Sequence, residues 1–283
     1  MKRRALTAGA FLAMITQATE VRVLVHGHRG ARALRPENTM PAFEYAIGVG
    51  ADVLELDLAV TKDNVVVVSH DPVLQPGICR GPRQRPAIRE LTFAELREYD
   101  CGSLKNSAYP RQVPAPGARV PSLDEVFALA PRGTFEFNIE TKMAEGRPEL
   151  APEPAEFARL VLEVIRRHKL ETRVILQSFD WRTLHAMKSL APEIRRAALY
   201  EAGEKDFVTI AREADAAIVS PQYPLVTAQK VKAAHTAGLQ VIPWTANTPA
   251  QWDRLIEAGV DAIITDDPAA LIEYLRKRRP RGE

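Results

Sequence analysis

"VRVLVHGHRGARALRPENTMPAFEYAI", residues 21–47, passes through three kinds of sequence in succession. Val21-Arg22-Val23-Leu24-Val25 is a short run rich in β-branched residues and reads as a strand. After Pro36 the spacing changes: Asn38 or Thr39 can cap a helix whose apolar face is Ala42, Phe43, Ala46 and Ile47. Between the two lie His26, His28, Arg29, Arg32, Arg35, two glycines and the Pro36-Glu37-Asn38 triplet. A polar crowd on a strand-to-helix loop is the arrangement by which a rigid scaffold carries chemistry.

The strand–loop–helix unit recurs along the chain. Strand-like segments follow at Asp52–Leu58, Val65–Ser69, Thr134–Thr141, Arg173–Gln177, Arg196–Tyr200, Ala216–Ser220, Leu239–Trp244 and Asp261–Thr265. Helical patterns separate most of them: Leu123–Ala130, Ala155–His168, Trp181–Leu190, Glu204–Ala214, Val226–Ala237 and Pro249–Ala258, with Pro268–Arg278 after the last strand. Alternation of this kind implies parallel pairing. With Val65–Ser69 set aside as a hairpin arm, the strands start near 21, 52, 134, 173, 196, 216, 239 and 261. The fold expected is α/β, a (β/α)₈ TIM barrel, which a 283-residue chain is long enough to form as one domain from residue 21 to the end.

One stretch breaks the rhythm. Gln75–Pro121 is long, rich in proline, basic at its start (Arg80, Arg83, Arg85, Arg89) and has one helix candidate, Thr92–Arg97. Such a segment reads as an insertion or lid on one barrel loop. It holds both cysteines, Cys79 and Cys101. Two thiols make no disulfide framework, so the plainer reading is two unpaired small apolar residues, with a bridge inside the insertion as the alternative. At the N-terminus Lys2-Arg3-Arg4, the apolar Ala5–Ile15 and Thr16-Gln17-Ala18 have the layout of a secretory signal, against a structural N-terminal helix. Export to the periplasm or beyond is thus slightly favoured over the cytoplasm. No later run is apolar enough to span a membrane. The net charge of +2 points to no nucleic-acid partner, and the basic run Arg276–Arg281 reads as a solvated tail.

The ends of the strands carry the informative residues. The first ends in His26, His28 and Arg29; the second holds Glu55 and Asp57, with His70-Asp71 soon after; the third barrel strand ends in Glu140 and Lys142. Gln177-Ser178, Trp244-Thr245, Asn247 and Thr265-Asp266 follow at later ends. Barrel active sites are assembled from these positions. Glu55 and Asp57 share one strand face, where two like charges repel unless neutralised. With Glu140 they make an oxygen set suited to a hard cation, Mg²⁺ or Ca²⁺, rather than zinc. His28 and His70 stand on the same rim and can serve as general base and general acid. His26 is expected to sit behind His28, while His168, His185 and His235 read as ordinary satisfied side chains. Arg29 and Lys142 suit an anionic substrate.

These residues fall into motifs: "HRGA" (28–31), "PENT" (36–39), "ELDL" (55–58), "SHD" (69–71), "NIETK" (138–142), "QSF" (177–179), "PWTAN" (243–247) and "GVDAIITDDP" (259–268). In that order they resemble the bacterial glycerophosphodiester phosphodiesterases, from Val21 to about Leu275. The resemblance implies His28 and His70 as the acid/base pair, and Glu55, Asp57 and Glu140 as ligands of one divalent cation. It also implies Arg29 and Lys142 as phosphate contacts, Trp244 beside the substrate pocket, Glu37 orienting the Arg29 loop, and an insertion after the second histidine. The substrate class implied is a glycerophosphodiester, cleaved to glycerol 3-phosphate and an alcohol. Phospholipases C and D on related barrels share the paired histidines and the Glu-x-Asp, although the long insertion and "PWTAN" favour the first branch. A non-catalytic phosphodiester-binding barrel is the remaining alternative.

Overall fold

The computed structural model describes residues 22–278; the signal-like segment, Val21 and the end of the basic tail lie outside them. The elements run β1 (Leu24–Gly27), α1 (Met40–Val49), β2 (Val53–Val60), β3 (Val66–Val68), α2 (Phe93–Leu96), α3 (Leu123–Phe127), β4 (Glu136–Thr141), α4 (Pro154–His168) and β5 (Val174–Ser178). They continue with α5 (Trp181–Leu190), β6 (Arg195–Tyr200), α6 (Phe207–Glu213), β7 (Ile218–Pro221), α7 (Ala228–Thr236), β8 (Gln240–Val241), α8 (Pro249–Ala258), β9 (Ala262–Thr265) and α9 (Pro268–Arg278).

Eight strands are parallel in the order β8-β7-β6-β5-β4-β2-β1-β9, with β3 hung antiparallel on β2. The two ends of that order meet: Asp261 N donates to Val241 O at 3.1 Å and Ile264 N to Pro243 O at 3.0 Å, and Ala246 N donates back to Ile264 O at 3.1 Å. The sheet is a (β/α)₈ TIM barrel, as expected. β8 is shorter than the expected Leu239–Trp244, since Pro243 cannot donate to a ladder, yet Ile242 N and Trp244 N still bond to Val219 O and Pro221 O. The expected Leu123–Ala130 helix stops at Phe127 and gives way to a 3₁₀ turn at Ala130–Arg132, which Pro131 opens.

Two apolar layers hold the barrel. Ile175, Ala197, Ile218, Ile242, Ala262 and Ile264 form a buried cluster, with Leu24 and Trp244 packed on it, that fills the interior floor. The larger layer lies between strands and helices. In α4 the buried Phe157, Val161 and Ile165 recur at helical spacing, each side chain contributing about 1.5–3 kcal/mol by burial. Capping boxes at Ser122 and Thr248 start α3 and α8.

The insertion shares a small core with the β2–β3 hairpin, in which Ala59 and Val67 meet Leu74, Ile88, Leu91, Leu96, Tyr99 and Val120. Cys79 and Cys101 lie in it and are bonded to each other, which corrects the plainer sequence reading of two free thiols. Two cysteines 22 residues apart carry no pairing signal in themselves; the bond follows from the small core that brings them together. A Cys79→Ser/Cys101→Ser variant is expected to lose about 3 kcal/mol, the loop-closure term for this separation, and calorimetry with and without reductant on both proteins checks it. His168, His185 and His235 are satisfied as expected, by Asp124, the Glu213 carbonyl and Asp261 at 2.9, 2.8 and 3.0 Å. No helix of the described residues is long and apolar enough to cross a membrane.

Candidate active site

The β1–α1 loop needs its glycines. A Cβ on Gly27 would lie 2.2 Å from the Gly30 carbonyl oxygen, and one on Gly30, at φ +81°, would lie 2.7 Å from the Ala42 backbone. Only glycine allows this close fold-back. Between and after them Arg29 and Asn38 adopt left-handed φ of 49° and 56°, a costly state for non-glycine residues and one that clusters at functional sites. His28 N donates to Thr265 O at 2.8 Å and Arg29 N to Glu55 Oε2 at 2.8 Å, so the loop is stitched to β9 on one side and β2 on the other.

β2 and β4 are registered with Glu55 beside Asn138 and Asp57 beside Glu140. That register sets the three carboxylates side by side: each offers an oxygen within 4.8 Å of the others, and all are buried. Gln177 donates to Glu55 at 2.8 Å and is itself held by Asn138 at 2.9 Å; Asn38 donates to Asp57 at 2.8 Å. Lys142 Nζ reaches Glu140 at 2.8 Å and Asp57 at 3.2 Å. Arg29 reaches Asp57 at 3.2 Å and Glu37 at 2.6 Å, and Glu37 also meets Arg32 at 3.2 Å, so Glu37 does orient the Arg29 loop.

His70 arrives by a different route. β2 runs on past the rim, turns, and returns as β3, and Ser69 N then donates to Asp57 O at 2.9 Å. The hairpin thus delivers His70 to the level of the carboxylates. Both histidines meet an aspartate through Nδ1: His28 with Asp266 at 2.5 Å and His70 with Asp71 at 2.8 Å. An Nδ1–H held by a carboxylate leaves Nε2 free to exchange a proton with a substrate. His28 Nε2 lies 4.0 Å from Glu55.

The charges sort themselves by position. Burial and the neighbouring Asp57 push Glu55 well above the usual carboxylate range, and burial pushes Glu140 up to about 7 despite Lys142. Burial also works against Asp57, but Lys142 and Arg29 outweigh it and hold that carboxyl well below its ordinary value. Burial opposes Asp266 too, and the His28 hydrogen bond, with the charges of His28 and Arg32, holds it at about 2. Burial lowers His28, against the pull of Asp266. Crowded, reluctant carboxylates with oxygens converging on one point fit a hard divalent cation, whose charge removes their repulsion.

Trp244 stands at the rim, its indole donating to Ser220 O at 2.9 Å and its ring edge-to-face with Phe179 at 5.5 Å. Lys142 Nζ lies 5.9 Å from the Phe179 ring, so an aromatic wall adjoins the basic side of the site. His26 does lie behind the loop: it is buried, its Nδ1 has no hydrogen-bond partner, and burial, then the Arg195 charge, lower it to about 3. Sequence reasoning left Asp266 and Asn247 without roles, and Asn38, a candidate helix cap there, instead holds Asp57, while Thr39 is the cap. Asp266 was visible as a strand-end residue, but only barrel closure connects it to His28.

The profile of the Glycerophosphoryl diester phosphodiesterase family matches residues 28–270. A glycerophosphodiester phosphodiesterase of Caldanaerobacter subterraneus is 33% identical over 91% of this chain and 99% of its own, and one from Bacillus subtilis is 31% identical over 87% and 84%. Among solved structures, a Silicibacter pomeroyi chain described as a glycerophosphoryl diester phosphodiesterase superposes with a TM-score of 0.84 at 31% identity, covering 90% of this chain and 93% of that one. An Oleispira antarctica phosphodiesterase in complex with the product sn-glycerol-3-phosphate gives 0.76 at 25% identity, covering 89% and 96%. With its barrel, its mouth of paired histidines and carboxylates, and this similarity over most of its length, the chain belongs to the glycerophosphoryl diester phosphodiesterase family.

Proposed function

We propose that the protein hydrolyses glycerophosphodiesters to glycerol 3-phosphate and an alcohol, using His28 and His70 as an acid/base pair beside one Mg²⁺ or Ca²⁺ held by Glu55, Asp57 and Glu140. The observation that carries this reading is the pairing of each histidine's Nδ1 with an aspartate next to the converging carboxylates. A protein that only bound phosphodiesters would need no such pair. The product in the Oleispira antarctica complex is the one this reaction yields.

The cation, when bound, supplies Lewis-acid stabilisation of the phosphate oxygens. The chain's own residues do the rest. One histidine Nε2 takes the proton of the glycerol hydroxyl adjacent to the ester, and that hydroxyl attacks phosphorus. The other histidine protonates the leaving alcohol. Water then opens the cyclic phosphate with the roles exchanged. Arg29 and Lys142 balance charge developing on the non-bridging oxygens, and Trp244 with Phe179 lines one side of the substrate. The segment 75–121, acting as part of a single barrel domain, would shape the alcohol side; its Gln112 ties it to the β1–α1 loop by donating to the Arg32 and Arg35 carbonyls at 2.8 and 3.2 Å.

Turnover of glycerophosphocholine, with and without a chelator, tests the reading. Release of glycerol 3-phosphate and choline, abolished by the chelator and restored by Mg²⁺ or Ca²⁺, is expected. Cleavage of lysophospholipids alone would move the protein to the phospholipase branch, and binding without turnover would make it a phosphodiester binder.

A further inference from the structure

Asp266 is held on both oxygens. Oδ1 takes the His28 Nδ1–H at 2.5 Å; Oδ2 accepts from Asn247 Nδ2 at 2.8 Å and from the Tyr109 hydroxyl at 3.1 Å. Asn247 is fixed from the barrel side, because its Oδ1 accepts from Asp266 N at 2.9 Å and from Thr265 Oγ1 at 3.1 Å. Tyr109 comes from elsewhere. It belongs to the insertion, 157 residues away in sequence, and reaches Asp266 because a strap of that insertion is laid across the ends of β1 and β9.

The strap is anchored on either side of Tyr109. Gln112, only 3% exposed, donates to the Arg32 and Arg35 carbonyls and accepts from Asn106 N at 2.9 Å; Val113 N donates to Leu34 O at 3.0 Å; Arg111 pairs with Asp267. The Arg32 guanidinium lies 4.9 Å over the Tyr109 ring, which fixes the ring independently of the hydroxyl. Burial, with the Asp266 charge next, pushes the Tyr109 phenol well up, so it remains a donor.

We propose that Tyr109 is a positioning residue for His28: through its hydroxyl the insertion holds the Asp266 carboxylate in the plane that orients the imidazole, so the histidine is fully supported only when the strap is docked. The proposal rests on the assignment of His28 to the acid/base pair. A carboxylate pinned on both oxygens cannot rotate, and the imidazole hydrogen-bonded to it keeps one tautomer and one ring orientation. Asn247 and Tyr109 share Oδ2, so Tyr109 adds the second of its two restraints.

Tyr109→Phe removes the hydroxyl and keeps the ring under Arg32. It is expected to lower kcat by about three- to tenfold, the value of one such hydrogen bond, with KM within about twofold and the melting temperature lowered by no more than a few degrees. In an Asp266→Asn background the same change is expected to have no further effect, since the path to His28 is already cut. Proton NMR of the substrate-free protein at fixed pH reads the link directly: the downfield His28 Nδ1–H resonance, assigned by its loss in His28→Ala, is expected to move in Tyr109→Phe. An unchanged kcat in Tyr109→Phe, an equal loss in the Asp266→Asn background, or an unmoved resonance would overturn the proposal. If the assignment of His28 to the acid/base pair were wrong, His28→Ala would turn over as fast as the parent, and the NMR comparison would still decide whether Tyr109 positions the ring.

Discussion

His28→Ala is expected to lose about 10²–10⁴-fold or more in kcat on glycerophosphocholine, with KM nearly unmoved. The imidazole is fixed by Asp266 on one side and by the β1–α1 loop on the other, so removing it deletes a proton carrier without disturbing the carboxylates that face it. His70→Ala should behave alike, and the double variant should be little worse than either, because each histidine's work is useless without the other's. The parent's pH–rate profile should be bell-shaped, and each single variant should lack one limb. Steady-state kinetics across pH measure all of this. A His28→Ala protein with near-normal kcat would overturn the mechanism and leave the barrel untouched.

Glu140→Gln is expected to cost at least about 10²-fold in turnover and to abolish stabilisation by divalent cation. Asp57→Asn should do the same but also weaken the fold, since Arg29 and Lys142 would keep buried charges without their shared partner. Glu140 is the cleaner test because burial already opposes its ionisation. In the parent, a cation at a hundredfold its dissociation constant should add about 2.7 kcal/mol of stability. That gain has a pH sign. Glu140 is raised to about 7, so without the cation it keeps its proton well above the ordinary carboxylate range, and burial with the Asp57 charge raises Glu55 in the same direction. As pH rises from the ordinary carboxylate range through 7, the Glu140 proton leaves and the cation-free fold loses stability, while proton competition with the cation fades. The cation-induced rise in melting temperature should therefore be larger at pH 8 than at pH 5. Equal shifts at both would count against ligation by these groups.

The barrel was legible because its strand and helix patterns are long and alternate, and the carboxylates because Glu55 and Asp57 share a face by period alone. Glu140 became their neighbour through an inter-strand register that spacing does not contain. The Asp266–His28 bond was further from view, since it depends on which strand closes the barrel. The insertion resisted reading for another reason. Its core is short-range, proline-broken and knotted by Cys79–Cys101, so neither helical nor strand periodicity announces it, and the Tyr109 contact has no local signature.

The two histidines reach the site over very different lengths of chain. His70 returns on a hairpin that closes within a dozen residues of Asp57, whereas His28 is joined to an aspartate 238 residues away. Loop-closure entropy costs the second contact more than the first. A nascent or partly unfolded chain can therefore own the His70 half of the machinery with β8 and β9 still undocked, and yet be inert. On the proposed roles turnover needs both contacts, so it reports that β9 is docked as well as the hairpin.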